Sequence, residues 1–157
     1  MKLTTTDSLK NIAAAAWNAL AGDANPFVQH DFLLALETGN CLQPYGWQPH
    51  YLLAHDNNEL IGAAPAYIKT NSYGEFVFDW AWAEAYQKNG LIYYPKLVIA
   101  VPYSPVTGPR LLTRENDHAT KQALVNFAVT QAEKLNLSSV HCLFNNEDDH
   151  ATELECG

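Results

Sequence analysis

The chain turns on Ser72 to Arg110, SYGEFVFDWAWAEAYQKNGLIYYPKLVIAVPYSPVTGPR. Its first half interleaves the acids Glu75, Asp79 and Glu84 with Phe76, Phe78, Trp80, Trp82 and the Tyr93-Tyr94 pair. Its second half sets four prolines and the turn Thr107-Gly108-Pro109-Arg110 around the apolar run Leu97 to Val101. Rings large enough to bury widely, placed beside acids and constrained turns, point to a shaped cleft more than to a plain core. The continuous β-branched run Leu97 to Val101 predicts a central buried strand. Pro102, Pro105 and Pro109 then keep the chain from helix until after Arg110.

Working outward, Asp79 is placed to cap a helix from Trp80 to Asn89, closed by Gly90, with Trp82 and Tyr86 on one face. Glu75 to Phe78 reads as extended. An extended reading as far as Trp82 competes, because Phe76, Phe78, Trp80 and Trp82 alternate; the alanines, Gln87 and Lys88 favour the helix. Downstream, a helix from Asn116 or Asp117 carries Leu124, Phe127, Ala128, Gln131, Ala132 and Leu135 along one side and ends at Asn136. A last strand, Ser139 to Phe144, leads into an acidic tail of helical character.

Upstream, Asp7 or Ser8 caps a helix carrying Leu9, Ile12, Ala16, Trp17 and Leu20 and ending at Gly22. Asn25-Pro26 breaks the chain, and His30 or Asp31 opens a short helix to Gly39. Pro44 to Pro49 reads as a loop. His50 to His55 and Leu60 to Lys69 form a hairpin across Asp56-Asn57-Asn58-Glu59, with Pro65 interrupting its second arm. This order predicts an α/β (α+β) domain: one mixed sheet flanked by helices in three layers.

At 157 residues, 48% hydrophobic and 17% charged, the chain has the size and composition of one globular domain. A formal net charge of -8 argues against a broad phosphate-binding surface, so no DNA partner is expected. Cys41, Cys142 and Cys156 are too few and scattered for a disulfide framework and fit a reducing compartment, so a cytoplasmic location is expected. No stretch has the length of a membrane span, and the first residues lack a signal-peptide core. Six histidines show no ligand spacing, so no metal is expected; His141 and Cys142 diverge on their strand. Neither a Gly-x-Ser-x-Gly elbow nor a phosphate-binding glycine loop occurs.

Asp79 is the first candidate for proton transfer, since rings on both sides desolvate it; the plainer reading is a helix cap. Glu75 lines the same cleft or is a solvated face residue. Tyr93, Tyr94 and Tyr103 are placed to position or protonate a leaving group, or else they are half-buried core. Lys96 and Arg110 flank the apolar strand and its turn and are candidate anion binders, with Lys69 beside them; the plainer reading is salt bridges. The expected set is Asp79, Glu75 and Tyr94 for catalysis, with Trp80, Trp82, Lys96, Tyr103, Thr107, Gly108 and Arg110 for substrate.

Asn25-Pro26-Phe27, Gly46-Trp47-Gln48-Pro49, Gly62-Ala63-Ala64-Pro65, Ser72 to Ala83, Tyr93 to Leu97 and Pro102 to Leu112 together carry a resemblance. Over about Asn25 to Phe144 the chain resembles the N-terminal half of the FemAB-like peptidoglycan biosynthesis/recognition proteins, predicted N-acyltransferases related to the GNAT superfamily. SYGEFVFDWAWA and PVTGPRLL are its most specific blocks. The resemblance implies a GNAT-like fold and acyl or aminoacyl transfer to an amine, with a cell-wall precursor as acceptor and acyl-CoA or aminoacyl-tRNA as donor. Family members are usually more than twice as long and carry a second GNAT-like unit, so the chain is expected to be the first unit of a longer protein. The alternative is a non-catalytic half-domain that braces such a unit, with an apolar face that favours self-association. GNAT enzymes hold the coenzyme A pyrophosphate on an Arg/Gln-x-x-Gly-x-Gly/Ala loop. In the matching place, Val106 to Arg110, Pro109 removes a backbone N–H from such an anion nest.

Overall fold

The computed structural model describes Met1 to Gly157. In chain order its elements are β1 (Lys2–Thr6), α1 (Ala14–Ala21), α2 (His30–Thr38), β2 (Trp47–Pro49), β3 (Tyr51–Asp56), β4 (Glu59–Ala64), β5 (Ala66–Lys69), α3 (Trp80–Lys88), β6 (Lys96–Ile99), β7 (Leu112–Thr113), α4 (His118–Lys134), β8 (Val140–Cys142) and α5 (Glu147–Glu155).

The hairpin forms where the asparagines place it. Asn57 and Asn58 take φ of 45° and 69°, the left-handed pair that a two-residue turn requires, and fold β3 against β4. Pro65 then divides the long ladder. Having no N–H, it separates β4 from β5, while its carbonyl accepts from Ala100 N at 3.0 Å and His50 N reaches Ala66 O at 2.8 Å. Two four-stranded sheets result, ordered β1-β3-β4-β7 and β2-β5-β6-β8. The first is antiparallel throughout. The second includes the parallel pair β6–β8, in which Leu97, Val98 and Ile99 face Val140, His141 and Cys142 across the α4 crossover.

Helices cover both faces. On one side α1 and α2 pack Trp17, Leu33 and their neighbours on Tyr51, Leu53 and Ala63. On the other, Leu124 and Ala128 of α4 pack on Leu52, Ala54, Ala64, Leu97 and Ile99. Asp117 caps α4 through Ala119 N and Thr120 N, and Asn136 closes it at a φ of 53°.

Several expectations need correction. Lys2 to Thr6, to which the sequence reading assigns no element, is an antiparallel strand against β3. Ser8 caps only a single 3-10 turn, Leu9–Asn11, because Glu37 of α2 accepts from Ser8 Oγ at 2.6 Å and Leu9 N at 3.0 Å and pins the chain there. The α-helix starts at Ala14. Trp47 to Pro49 is strand, paired with β5, where a loop was expected. Glu75 to Phe78 is not extended: Phe76 and Phe78 take φ of 62° and 51°, and the turns roll Glu75 and Asp79 inward.

The face of β4 that meets α4 has no room for a side chain at Gly62, where an added Cβ would lie 2.4 Å from Thr120 Cγ2. Gly62→Val is expected to destabilise the fold by about 1–3 kcal/mol in urea unfolding, and adding Thr120→Ser, which removes that methyl, is expected to recover part of the loss.

Candidate functional site

The β5–β6 pairing sets Lys69 directly opposite Lys96, and both side chains are fully buried. Like charges so placed repel. The connection between these strands, residues 70–95, returns two acids to them. Lys96 Nζ lies 2.8 Å from Glu75 Oε2 and 2.6 Å from Asp79 Oδ2. Asp79 also accepts from Tyr93 OH at 2.5 Å and from Ser72 Oγ, and Ser72 Oγ in turn meets Tyr94 OH. Lys69 Nζ donates to the carbonyls of Tyr73 at 3.0 Å and Tyr45 at 3.3 Å, and sits 4.0 Å over the Trp47 ring.

These surroundings shift the titrations. Burial lowers Lys69 to about 8, with Glu75 and Asp79 opposing. Burial works against ionising Asp79, yet the bonds from Lys96, Ser72 and Tyr93 outweigh it and hold the carboxyl at about 2. Burial raises Glu75, against the pull of Lys96, and its Oε1 has no partner. Tyr93 is pushed up by burial and by its bond to Asp79, and Tyr94 chiefly by burial.

The expected residues do not form one cleft. Asp79 stands at the start of α3 without capping it, because its side chain is turned to Lys96. Its two oxygens carry three donors, so the carboxylate is an anchor with little left to accept a substrate proton. Glu75, Tyr94 and Lys96 belong to the same network. Trp80 lines a groove of about 490 Å³ with Ser72, Tyr73, Gln87 and Tyr94, whereas Trp82 lines a second of about 370 Å³ with Asp79, Tyr86, Ser139 and His141. Tyr93 walls both.

Arg110 is no anion binder. It is fully buried, and its guanidinium donates to the carbonyls of Val106 at 2.7 Å, Leu143 at 3.0 Å and Pro109 at 3.1 Å, which makes it a strut for the proline-rich loop. Gly108 sits against Asn25, bridged to Asn145, and Thr107 is exposed beside it. Tyr103 donates to Cys41 O at 2.5 Å with its ring near Trp47, a packing role. Sequence reasoning weighed His141 only as a metal ligand beside Cys142 and did not single out Ser139; their separation by one residue at the start of the expected last strand was the available signal.

The chain belongs to the FemAB-like family, described as peptidoglycan biosynthesis/recognition, which matches residues 8–157. No curated protein sequence matches it. Among solved structures it is similar to the ribosomal-protein-alanine N-acetyltransferase of Brucella melitensis biovar Abortus 2308, at 12% identity and a TM-score of 0.54, over 99% of this chain and 90% of that one. It is also similar to the aminoglycoside 6'-N-acetyltransferase AAC(6')-IG of Acinetobacter haemolyticus, at 15% identity and a TM-score of 0.54, over 100% of this chain and 90% of that one. The fold is GNAT-like.

That fold raises the question of coenzyme A, and the loop before α4 does not fit its pyrophosphate. Arg110 N and Leu111 N donate to Asp149 Oδ2 at 2.6 Å and 3.0 Å. Ala119 N and Thr120 N donate to Asp117 Oδ1 at 3.1 Å and 3.4 Å, and Gly108 N to Phe144 O at 3.0 Å. Two of the chain's own carboxylates stand where an anion would, and Pro109 has no N–H to offer.

Because Asp79 titrates near 2 when folded and near 3.9 when unfolded, its ionisation stabilises the fold above pH 4, and that contribution disappears as pH falls towards 2. Asp79→Asn is expected to cost about 2 kcal/mol at pH 7 in urea unfolding and to flatten the loss of stability between about pH 4 and 2. Lys96→Met, which strands both acids, is expected to cost more, about 3–5 kcal/mol.

Proposed function

We propose that the chain is an N-acyltransferase unit that moves an acyl or aminoacyl group onto an amine, with a cell-wall precursor as acceptor. The observation that carries this reading is the FemAB-like match over residues 8–157 on a GNAT-like fold. The closed loop before α4 favours an ester donor such as aminoacyl-tRNA over acyl-CoA. In this reading the Lys96–Asp79–Tyr93 network fixes the wall between the two grooves, and the exposed Trp80 and Trp82 line the approach to them. In this reading the unit is the first of two GNAT-like units and works in the cytoplasm, a reducing compartment that suits its three free, scattered cysteines. No helix is long and apolar enough to cross a membrane.

One observation favours a second reading. No side chain of α3 is buried, and Phe78, Trp80 and Trp82 are exposed around it, as suits a half-domain that braces another unit or a second copy.

Titration of the full chain with aminoacyl-tRNA, coenzyme A and acetyl-coenzyme A, followed by tryptophan fluorescence, separates these. Saturable quenching by aminoacyl-tRNA, with none by either coenzyme, is the expected result. Silence towards all three from a folded chain would favour the bracing role.

A further inference from the structure

The groove between α3 and β8 holds a pair of groups that the network around Lys96 does not use. Strand alternation creates it. Val140 and Cys142 pack towards α4 beside Ile99 and Val125, so His141 and Ser139 face the opposite side, over Val98 and towards α3. His141 Nε2 lies 2.9 Å from Ser139 Oγ, and its other ring nitrogen, Nδ1, bonds no protein atom. Trp82, Tyr86, Tyr93 and Leu143 complete the walls, and the Tyr93 ring stands edge-on to the imidazole at 6.2 Å. Asp79 reaches the same groove but is held by three donors, which leaves His141 as the free base there.

We infer that His141 is the proton acceptor of the transfer, oriented by an Nε2–H···Oγ bond to Ser139 with its Nδ1 lone pair open to the α3–β8 groove, where an amine acceptor sits. This rests on the acyltransferase reading. The acceptor nitrogen attacks the carbonyl carbon of an ester donor, so the N–C bond forms as the ester C–O bond breaks. Nδ1 takes the proton from that nitrogen and returns it to the departing alkoxide, and the imidazole ends neutral. The groups facing the ring are Lys96 from β6, Asp79 and Tyr93 from the 70–95 connection and Tyr86 from α3. Burial, and then Lys96, lower the imidazole below its usual 6.5 while Asp79 opposes, so at neutral pH it is uncharged and able to accept a proton.

The test uses the full chain with p-nitrophenyl acetate as activated ester and methoxyamine, an amine that stays unprotonated over the range studied. The expected result is amide formation above the buffer rate, rising through one ionisation below pH 6.5 and level above it. His141→Gln is expected to lose at least tenfold, His118→Gln on α4 to lose nothing, and Ser139→Ala, which frees the ring from its orienting bond, to lower turnover by less than His141→Gln does and to move the midpoint lower. Carbethoxylation of the unaltered chain, mapped by mass spectrometry, gives a measure independent of variant folding: His141 reacts, with the same midpoint. A wild-type rate equal to buffer, a His141→Gln rate equal to wild type, or a His141 left unmodified while His118 reacts would each overturn the inference. Aminoacyl transfer that persists in His141→Gln with an unchanged pH profile would overturn it and leave the acyltransferase reading standing. Failure of that reading shows separately in the donor titration, which uses neither probe.

Discussion

Two buried lysines face each other across one strand pair, and the path of the chain around them follows from that. Lys69 and Lys96 are cross-strand partners with no exposed surface. A pair of cations in that position is costly unless counter-charges come with it. The connection between the two strands supplies them, rolling Glu75 and Asp79 inward through turns that only positive φ at Phe76 and Phe78 allows. Since α3 buries no side chain, this connection is tied to the sheet by ions and hydrogen bonds more than by apolar contact. Buried ion pairs of this kind add little net stability over an apolar packing. Their effect here is to specify one arrangement of the aromatic connection over the sheet.

The proline-rich loop uses carboxylates in a related way. Asp149 from α5 takes the N–H groups of Arg110 and Leu111, Asp117 takes those at the start of α4, and Lys121 lies 2.7 Å from Asp149. Arg110 then holds the loop by its carbonyls. A segment that would cradle a phosphate with open backbone donors is closed upon itself, whereas Ser139 and His141 line a groove on the face of β8 turned away from α4.

Much of the fold was legible because it rests on local backbone chemistry. The Asn57-Asn58 turn, the break at Pro65, the strand at Leu97 and the helix from Asp117 to Asn136 each follow from residues whose φ preference, missing N–H or capping oxygen acts within a few positions. Lys2 to Thr6 is polar and becomes a strand only because β3 offers it an edge. Phe76 and Phe78 alternate as a strand would, but the demand of Lys96 for two acids outweighs that periodicity. The candidate site was legible as a stretch and not as an arrangement: Asp79, Glu75, Tyr94 and Lys96 meet, whereas Tyr103, Thr107, Gly108 and Arg110 serve the loop.

By itself the sequence determined the family, the order of most elements and the residue types available for chemistry, since those depend on neighbours along the chain. The tertiary structure alone decided which charges meet, that Asp79 is an anchor and not a cap, and that His141 and Ser139 share a groove with it. Those outcomes depend on strand register, and one residue of register decides which face of a strand every side chain occupies.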